Sequence, residues 1–315
     1  MNKINQKIIF VGTPEFGAII LEELSKTKFK PCLVITSLDK PIGRKQILSP
    51  SMVKQIALKY NIPIKQPKKI EETKEEIKEI KPDLMIVAAY KQIIPKEILE
   101  IPKYKSFNIH PSLLPKYRGA SPIQYTILNG EEKTGVTIYL MDEKIDHGPI
   151  LSQKEFEIKD KKITYQKLSK ELAKLGAELL LENIPKILSK KIKLTPQNEK
   201  EATYTKILKK EDGHIKWSKK AEEIERQIRA FEVWPQSYSF WNDKVLKILK
   251  SSVKILPVEI DYPYGKVVAS PEKEILVATK ENYLKIEIIQ LEGKKKMTAK
   301  EFLNGYPKII GEVLK

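Results

Sequence analysis

The first part of the chain alternates apolar segments with segments whose apolar residues recur at helical spacing. The apolar segments are KIIFVG (7–12), CLVITS (32–37), DLMIVAAY (83–90) and SFNIH (106–110), with helical spacing between them at 14–26 and 50–60. Continuous apolar strands are typical of sheets buried on both faces. The order of segments therefore predicts an α/β domain with a mostly parallel, helix-covered sheet.

The segments that follow predict an antiparallel hairpin at the edge of this sheet. In 135–142, Val136, Ile138 and Leu140 alternate along one face, and a second strand-like segment (148–158) comes after a short connection. A helix is then expected from about Thr164 to Leu188.

Beyond this helix the chain loses its periodicity and becomes polar, which we interpret as a linker. One further helix (218–231) precedes several short strand-like segments separated by turn residues, a pattern that favours a small barrel. The expected organisation is a first domain (1–189), a linker (190–206) and a second domain (207–315). Trp217, Trp234 and Trp241 are expected in the core.

Composition limits the class of protein. The 315 residues are 41% hydrophobic and 31% charged, and the chain is long enough for two cores. The apolar run 84–90 is too short to cross a bilayer. Cys32 is the only cysteine, which excludes an intrachain disulfide or a thiolate metal cluster. We expect a cytoplasmic protein without a membrane partner.

The formal net charge of +17 suggests an anionic partner, most simply nucleic acid. The other reading is that the lysine excess reflects genome composition, because the charge is spread along the whole chain. Arginine occurs only at Arg44, Arg118, Arg226 and Arg229, so each arginine is more informative than any lysine.

The turn after the first strand, FVGTPEFG, contains only Gly12 and Gly17 and lacks the G-x-G-x-x-G spacing of dinucleotide-binding loops. It predicts a Rossmann-like strand–turn–helix without pointing to NAD.

Asn108, His110 and Asp146 form the sharpest group of candidate catalytic residues. Asn108 and His110 point to the same side of a strand, at the carboxyl end where open parallel sheets hold their ligands. Asp146 lies in the turn of the edge hairpin, from which it could face His110. An amide, an imidazole and a carboxylate suit attack by an amine on a carbonyl carbon, with proton shuttling and no covalent intermediate. A purely structural histidine at the strand end is the alternative.

A metal site formed by His110 and His147 is disfavoured, since the chain has three histidines and none are spaced i, i+4 on a helix.

NIHPSLLPKYRGASPIQ followed by TGVTIYLMDEKIDHGPIL resembles the folate-dependent formyltransferases, which carry N-x-H-x-S-L-L-P and D-x-G motifs. Further segments, including DKPIGRKQILSPSMVK, TYTKILKKEDGHIKW and IRAFEVWPQSY, are similar to the branch that formylates methionyl-tRNA. The resemblance covers nearly the full length.

This resemblance implies 10-formyltetrahydrofolate as the formyl donor, the amino group of methionyl-initiator tRNA as the acceptor and no metal. It implies that Asn108, His110 and Asp146 are catalytic and that the second domain is an OB-like barrel that binds tRNA. We expect a monomer. The implied substrate contacts are the loop Ser112, Leu113, Leu114 and Pro115, the segment Ala89 and Tyr90, and Arg44 at the tRNA acceptor end.

The family usually has AYG where this chain has Ala89, Tyr90 and Lys91, a departure beside the expected pterin pocket. A sugar-nucleotide N-formyltransferase and a non-catalytic RNA-binding protein are the alternative functions.

Overall fold

The computed structural model describes residues 6–42, 47–256, 262–270 and 274–315. The chain divides into two compact units. The first comprises Met1–Pro122, Lys133–Ile158 and Leu168–Thr205, and the second comprises Ile123–Glu132, Lys159–Lys167 and Lys206–Lys315.

Up to Thr205, the chain contains the predicted strands and helices together with shorter elements that were not predicted, such as the strands Lys40–Ile42 and Ile47–Ser49. In chain order they are β1 (Ile8–Gly12), α1 (Glu15–Ser25), β2 (Leu33–Ile35), β3 (Lys40–Ile42), β4 (Ile47–Ser49), α2 (Met52–Lys59), β5 (Ile64–Lys65), α3 (Lys74–Ile80), β6 (Leu84–Ala88), α4 (Lys96–Leu99), β7 (Ser106–His110), β8 (Arg118–Gly119), α5 (Pro122–Leu128), β9 (Lys133–Leu140), β10 (Ile150–Glu157), α6 (Tyr165–Leu188) and β11 (Tyr204–Thr205).

The first unit is built on a seven-stranded sheet in the order β10-β9-β7-β6-β1-β2-β5. Strands β5, β2, β1, β6 and β7 are mutually parallel. Every residue of β1, β6 and β7 is buried, because helices cover such a sheet and the strands are apolar on both faces. The predicted Rossmann-like α/β class is confirmed.

The predicted edge hairpin is also confirmed. β9 pairs with β10 and with β7, both times antiparallel, and β10 forms the edge of the sheet. Strand β7 therefore lies between a parallel neighbour (β6) and an antiparallel one (β9). Because β9 is antiparallel to β7, Leu140 at the end of β9 lies opposite Phe107. The loop that follows Leu140 folds back along β7 and brings Asp146 beside His110.

The second unit contains an antiparallel sheet with two helices after Lys206. Its elements are α7 (Ala221–Ala230), β12 (Ser237–Trp241), β13 (Lys244–Lys254), β14 (Val267–Ala269), β15 (Ile275–Ala278), β16 (Tyr283–Leu291), β17 (Met297–Thr298) and α8 (Ala299–Gly305). The sheet has the order β12-β13-β16-β15-β14, and β17 pairs with β16.

The core of this unit includes Trp217 and Trp241, as predicted, and Trp241 packs edge-to-face against Phe302. The prediction is wrong for Trp234, which is 53% exposed. Trp234 keeps a hydrogen bond from its indole N–H to the carbonyl of Leu208, 3.0 Å away, so the amphipathic ring satisfies its polar group while remaining at the surface. Within the described ranges, no helix is long and apolar enough to span a membrane.

Candidate active site

Asn108 and His110 occupy the carboxyl end of β7, with side chains on the same face of the sheet. Asn108 is 9% exposed and His110 is 4% exposed. In the antiparallel pairing with β9, Asn108 lies opposite Tyr139 and His110 lies opposite Thr137. Two polar side chains are thus enclosed where a parallel sheet normally presents its ligand site.

The imidazole of His110 is oriented by a main-chain carbonyl. Its Nε2 lies 2.9 Å from the carbonyl oxygen of Tyr117. Since a carbonyl only accepts hydrogen bonds, Nε2 carries the proton in the neutral ring and Nδ1 carries the lone pair. Nδ1 lies 3.6 Å from Oδ2 of Asp146, which is beyond ordinary hydrogen-bond distance. Nδ1 is therefore the ring atom that remains able to exchange a proton.

The carboxylate of Asp146 is held by two donors. Its Oδ2 accepts a hydrogen bond from the backbone N–H of Gly119 at 2.6 Å, and its Oδ1 accepts one from the hydroxyl of Tyr139 at 2.7 Å. That hydroxyl in turn accepts a hydrogen bond from Nδ2 of Asn108 at 3.0 Å. The structure therefore brings the three predicted residues together: Asn108 and Asp146 are joined by hydrogen bonds through Tyr139, and His110 lies beside Asp146 without a hydrogen bond to it.

The turn that carries Asp146 has an unusual backbone. Asp146 has φ of 50°, in the left-handed region that non-glycine residues rarely adopt. Gly148, two residues later, leaves no room for a side chain, because a Cβ there would lie 1.8 Å from the carbonyl oxygen of Leu140. The glycine of the D-x-G motif is thus required by close approach of the backbone.

Gln197 fixes this turn from outside the hairpin. Its Nε2 donates to the carbonyl oxygens of Asp146 at 2.9 Å and Gly148 at 2.8 Å. Its Oε1 accepts hydrogen bonds from Nε and Nη2 of Arg118, at 3.0 and 2.8 Å. The side-chain amide is therefore fully used in joining Arg118 to the Asp146 turn.

Arg118 has 0% exposure, and its charge is neutralised by Glu199 through a two-pronged ion pair with distances of 2.6 and 3.0 Å. Its Nη1 also donates to the hydroxyl of Tyr204. The hydrogen bond from Arg118 lowers the pKa of the Glu199 carboxyl, and the same bond raises the pKa of Arg118. The planar guanidinium suits this fork geometry, which a lysine ammonium cannot reproduce.

The loop Ser112–Pro115, predicted to contact the substrate, is held rigidly beside the end of β7. The hydroxyl of Thr137 donates to the carbonyl of Ser112 at 2.7 Å and accepts from the N–H of Leu114 at 3.0 Å. Gln153 donates to the carbonyl of Leu114 at 2.8 Å. The side chain of Leu113 packs against the backbone of Gly135, where a Cβ would lie 2.5 Å from Leu113 Cδ2.

Ala89 and Tyr90 follow β6, the strand next to β7. Ala89 is exposed with φ of 53°, and Lys91 beside it is exposed as well. Tyr90 packs against the core next to the sheet, yet its buried hydroxyl has no hydrogen-bond partner within the described ranges. Burial, and secondarily the negative charge of Glu71, raises the pKa of Tyr90 to about 12. The predicted contact residue Arg44 lies outside the described residues.

Residues 6–184 match the formyl transferase family, and residues 207–307 match the C-terminal domain of formyl transferases. A relative from Caldicellulosiruptor saccharolyticus, a methionyl-tRNA formyltransferase, is 42% identical over 98% of this chain and 99% of its own length. A methionyl-tRNA formyltransferase from Thermodesulfovibrio yellowstonii is 44% identical over 95% of each chain. The chain belongs to the formyltransferase family.

A crystal structure of the N-formyltransferase from Helicobacter canadensis, in complex with folinic acid and dTDP-3-aminofucose, is similar to this formyltransferase with a TM-score of 0.65 and 26% identity. The similarity covers 93% of this chain and 100% of that one. The resemblance noted in the sequence is therefore confirmed at the level of the family.

The second histidine considered for a metal site serves an ion-pair cluster in this formyltransferase. Nδ1 of His147 lies 2.6 Å from Asp142, and its Nε2 lies 3.6 Å from Glu199. Across the described part of the chain, no group of three histidine, cysteine or acidic side chains is suited to hold a metal ion.

Sequence reasoning missed Tyr139, Gln197 and the role of Arg118. The sequence did carry a signal for Arg118. In a chain that otherwise uses lysine, an arginine indicates a position where lysine cannot serve, such as a buried ion pair. Tyr139 could be found only with the β7–β9 register known. Gln197 lies 51 residues from its partner Asp146, in the aperiodic stretch interpreted as a linker.

We predict that Arg118→Lys destabilises the protein by about 2 kcal/mol, because it loses several charged hydrogen bonds and leaves Gln197 Oε1 without its donors. Thermal unfolding measures the effect. Lys116→Ala, an exposed position in the same loop, is the control and should unfold like the wild type. An unchanged melting temperature for Arg118→Lys would contradict the structural importance of this ion pair.

Proposed function

We propose that the protein transfers the formyl group of 10-formyltetrahydrofolate to the amino group of methionyl-initiator tRNA. The products are N-formylmethionyl-tRNA, used in translation initiation, and tetrahydrofolate. The observation that carries the proposal is the similarity to methionyl-tRNA formyltransferases over nearly the whole length of the chain, second domain included.

In the first step, the neutral methionyl amine attacks the formyl carbon, a C–N bond forms and the carbonyl electron pair moves to oxygen. Asn108 supplies a donor for this oxyanion. One N–H of its amide is bound to Tyr139, and the second N–H on the same nitrogen is available to the substrate. Such a donor typically contributes about 10²- to 10³-fold in kcat.

In the second step, the tetrahedral intermediate collapses and the bond between the formyl carbon and N10 of the folate breaks. The proton lost by the amine must reach N10. His110 suits this transfer, because Nδ1 is its uncommitted ring nitrogen. Asp146 stabilises the resulting imidazolium from 3.6 Å. Once Nδ1 has taken up the proton, its N–H can also donate to the oxyanion, because the other ring N–H is bound to the carbonyl of Tyr117.

The folate is proposed to lie between the loop Ser112–Pro115 and the segment Ala89–Tyr90. Both follow strands whose carboxyl ends lie side by side in the sheet, β7 and β6. The buried hydroxyl of Tyr90, which lacks a partner within the described ranges, offers a hydrogen bond to a bound ligand. The backbone of Leu114 is hydrogen-bonded to Thr137 and Gln153, so this side of the proposed folate site is already formed before the ligand binds.

The second domain, residues 207–315, is proposed to bind the tRNA, with Arg44 at the acceptor end. The net charge of +17 supports phosphate binding. We further propose that the protein acts as a monomer in the cytoplasm, where its tRNA substrate is found.

A sugar-nucleotide acceptor is the second candidate, since the N-formyltransferase from Helicobacter canadensis was crystallised with an amino-sugar nucleotide and is 26% identical to this chain. The tRNA acceptor is better supported, because the methionyl-tRNA formyltransferases are 42–44% identical over comparable lengths.

The proposal is tested by transfer of labelled formyl from 10-formyltetrahydrofolate to methionyl-tRNA, with dTDP-3-aminofucose as a competing acceptor. We expect label in the tRNA and none in the sugar nucleotide. Label in the sugar nucleotide alone would show that the acceptor is an amino sugar and not the tRNA. Label in neither acceptor would contradict the proposed activity.

Asn108→Ala and His110→Ala should each lower kcat by about 10²-fold or more, since each removes a group that acts on the reacting atoms. The tRNA affinity, measured by filter binding, should stay close to that of the wild type. Asn304→Ala, at an exposed position of α8, is a matched asparagine control for which kcat should not change. Near-normal turnover of either active-site variant would remove that residue from catalysis.

Arg44→Ala should raise the KM for tRNA and weaken its salt dependence, because one phosphate contact is lost. The KM for the folate should not change. Lys40→Ala, in the preceding strand, serves as a charge-matched control. The same KM for tRNA in Arg44→Ala and the wild type would exclude Arg44 from the tRNA contact.

A further inference from the structure

Tyr139 lies between two of the proposed catalytic residues and was predicted by no sequence motif. It lies on β9 directly opposite Asn108 and is 2% exposed. Its hydroxyl is 2.7 Å from Oδ1 of Asp146 and 3.0 Å from Nδ2 of Asn108. The phenol hydroxyl thus forms hydrogen bonds with both side chains at once.

The chemistry of the three groups fixes the direction of both hydrogen bonds. A carboxylate can only accept, so the single hydroxyl hydrogen of Tyr139 is donated to Asp146. Burial, together with the negative charge of Asp146, raises the pKa of Tyr139 well above its ordinary value, which keeps that hydrogen in place. The hydroxyl oxygen can then only accept from Asn108.

The consequence for Asn108 is a single allowed orientation of its amide. With Nδ2 towards Tyr139, the pair forms a hydrogen bond. With Oδ1 towards Tyr139, two acceptors would oppose each other without a hydrogen between them, at a buried site where an unmade hydrogen bond is costly. The favoured orientation is also the one that leaves a second N–H for the substrate.

We propose that Tyr139 is a positioning residue that uses the charge of Asp146 to hold the amide of Asn108 in its donating orientation. This inference rests on the proposed formyl transfer, in which Asn108 must present an N–H to the oxyanion. Without the phenol hydroxyl, the amide can rotate by 180° and present its oxygen to the developing negative charge. Tyr139 then acts through Asn108 and does not touch the substrate.

The test is Tyr139→Phe in the full-length protein, which keeps the ring and removes both hydrogen bonds. We expect kcat to fall about 10- to 100-fold, while KM for both substrates remains close to the wild-type value. Tyr104→Phe is the matched control, because the hydroxyl of Tyr104 forms no hydrogen bond with a described residue. A tyrosine that only fills space would instead leave kcat unchanged, because phenylalanine keeps the ring.

A double-mutant cycle distinguishes positioning of Asn108 from any other effect. In the Asn108→Ala background, Tyr139→Phe should cause little further loss of kcat, since the group it positions is already absent. Replacement of Tyr139 by 3-fluorotyrosine, which retains the hydroxyl, should preserve activity.

Wild-type kcat in Tyr139→Phe would overturn the inference, and so would a full additional loss in the Asn108→Ala background. Should Tyr139→Phe fail to fold, the 3-fluorotyrosine protein decides alone, because low activity in a folded protein that retains the hydroxyl would overturn the inference. Failure of the wild type to transfer formyl would instead overturn the proposed function.

Discussion

The charge of Asp146 is the feature on which the geometry of the active site depends. Each of its oxygens has a donor, Gly119 N–H for Oδ2 and Tyr139 O–H for Oδ1. A protonated, neutral carboxyl group would not hold the Gly119 N–H and the Tyr139 O–H in the same way, because it donates one hydrogen itself. Through Tyr139 the charge reaches Asn108, and across 3.6 Å it faces Nδ1 of His110. One partly buried anion therefore determines the orientation of the Asn108 amide and faces the imidazole of His110.

The turn that carries this anion must be held in an unfavourable backbone conformation. Asp146 adopts a left-handed conformation, which costs of the order of 1–3 kcal/mol for a non-glycine residue. Gln197 offsets that cost by binding two carbonyls of the turn, and Arg118 holds Gln197 in turn. The residue after Arg118, Gly119, supplies a donor to the same carboxylate. The segment Arg118–Gly119 thus supports Asp146 in two ways. The main-chain N–H of Gly119 binds the carboxylate, and the side chain of Arg118 holds Gln197, which binds the turn.

Local periodicity was sufficient to predict the parts of the fold that are regular. The apolar strands gave the parallel sheet, and alternation along β7 placed Asn108 and His110 on one face. Asp146 was assigned correctly to the hairpin turn because the hairpin signal was itself local. Tyr139 was missed because its importance depends on which residue of β9 lies opposite Asn108, and register is a property of the pair of strands. Trp234 was assigned wrongly to the core because an indole can be exposed when its N–H is bonded locally.

The surface charge of the second unit also depends on pairing that composition does not reveal. Glu274 pairs with Lys254 and Lys285, and Glu287 pairs with Lys250. Glu274 is largely buried, with 18% of its side chain exposed. The side chain of Lys250 is 66% exposed, and an exposed ion pair contributes about 0–1 kcal/mol, so a nucleic-acid phosphate could replace Glu287 as its partner at little cost. Lys295 and Lys296 are exposed and form no ion pair with any described residue. For the tRNA binding proposed above, the available positive charge therefore includes Lys250, which is paired with an acid in the free protein, as well as Lys295 and Lys296.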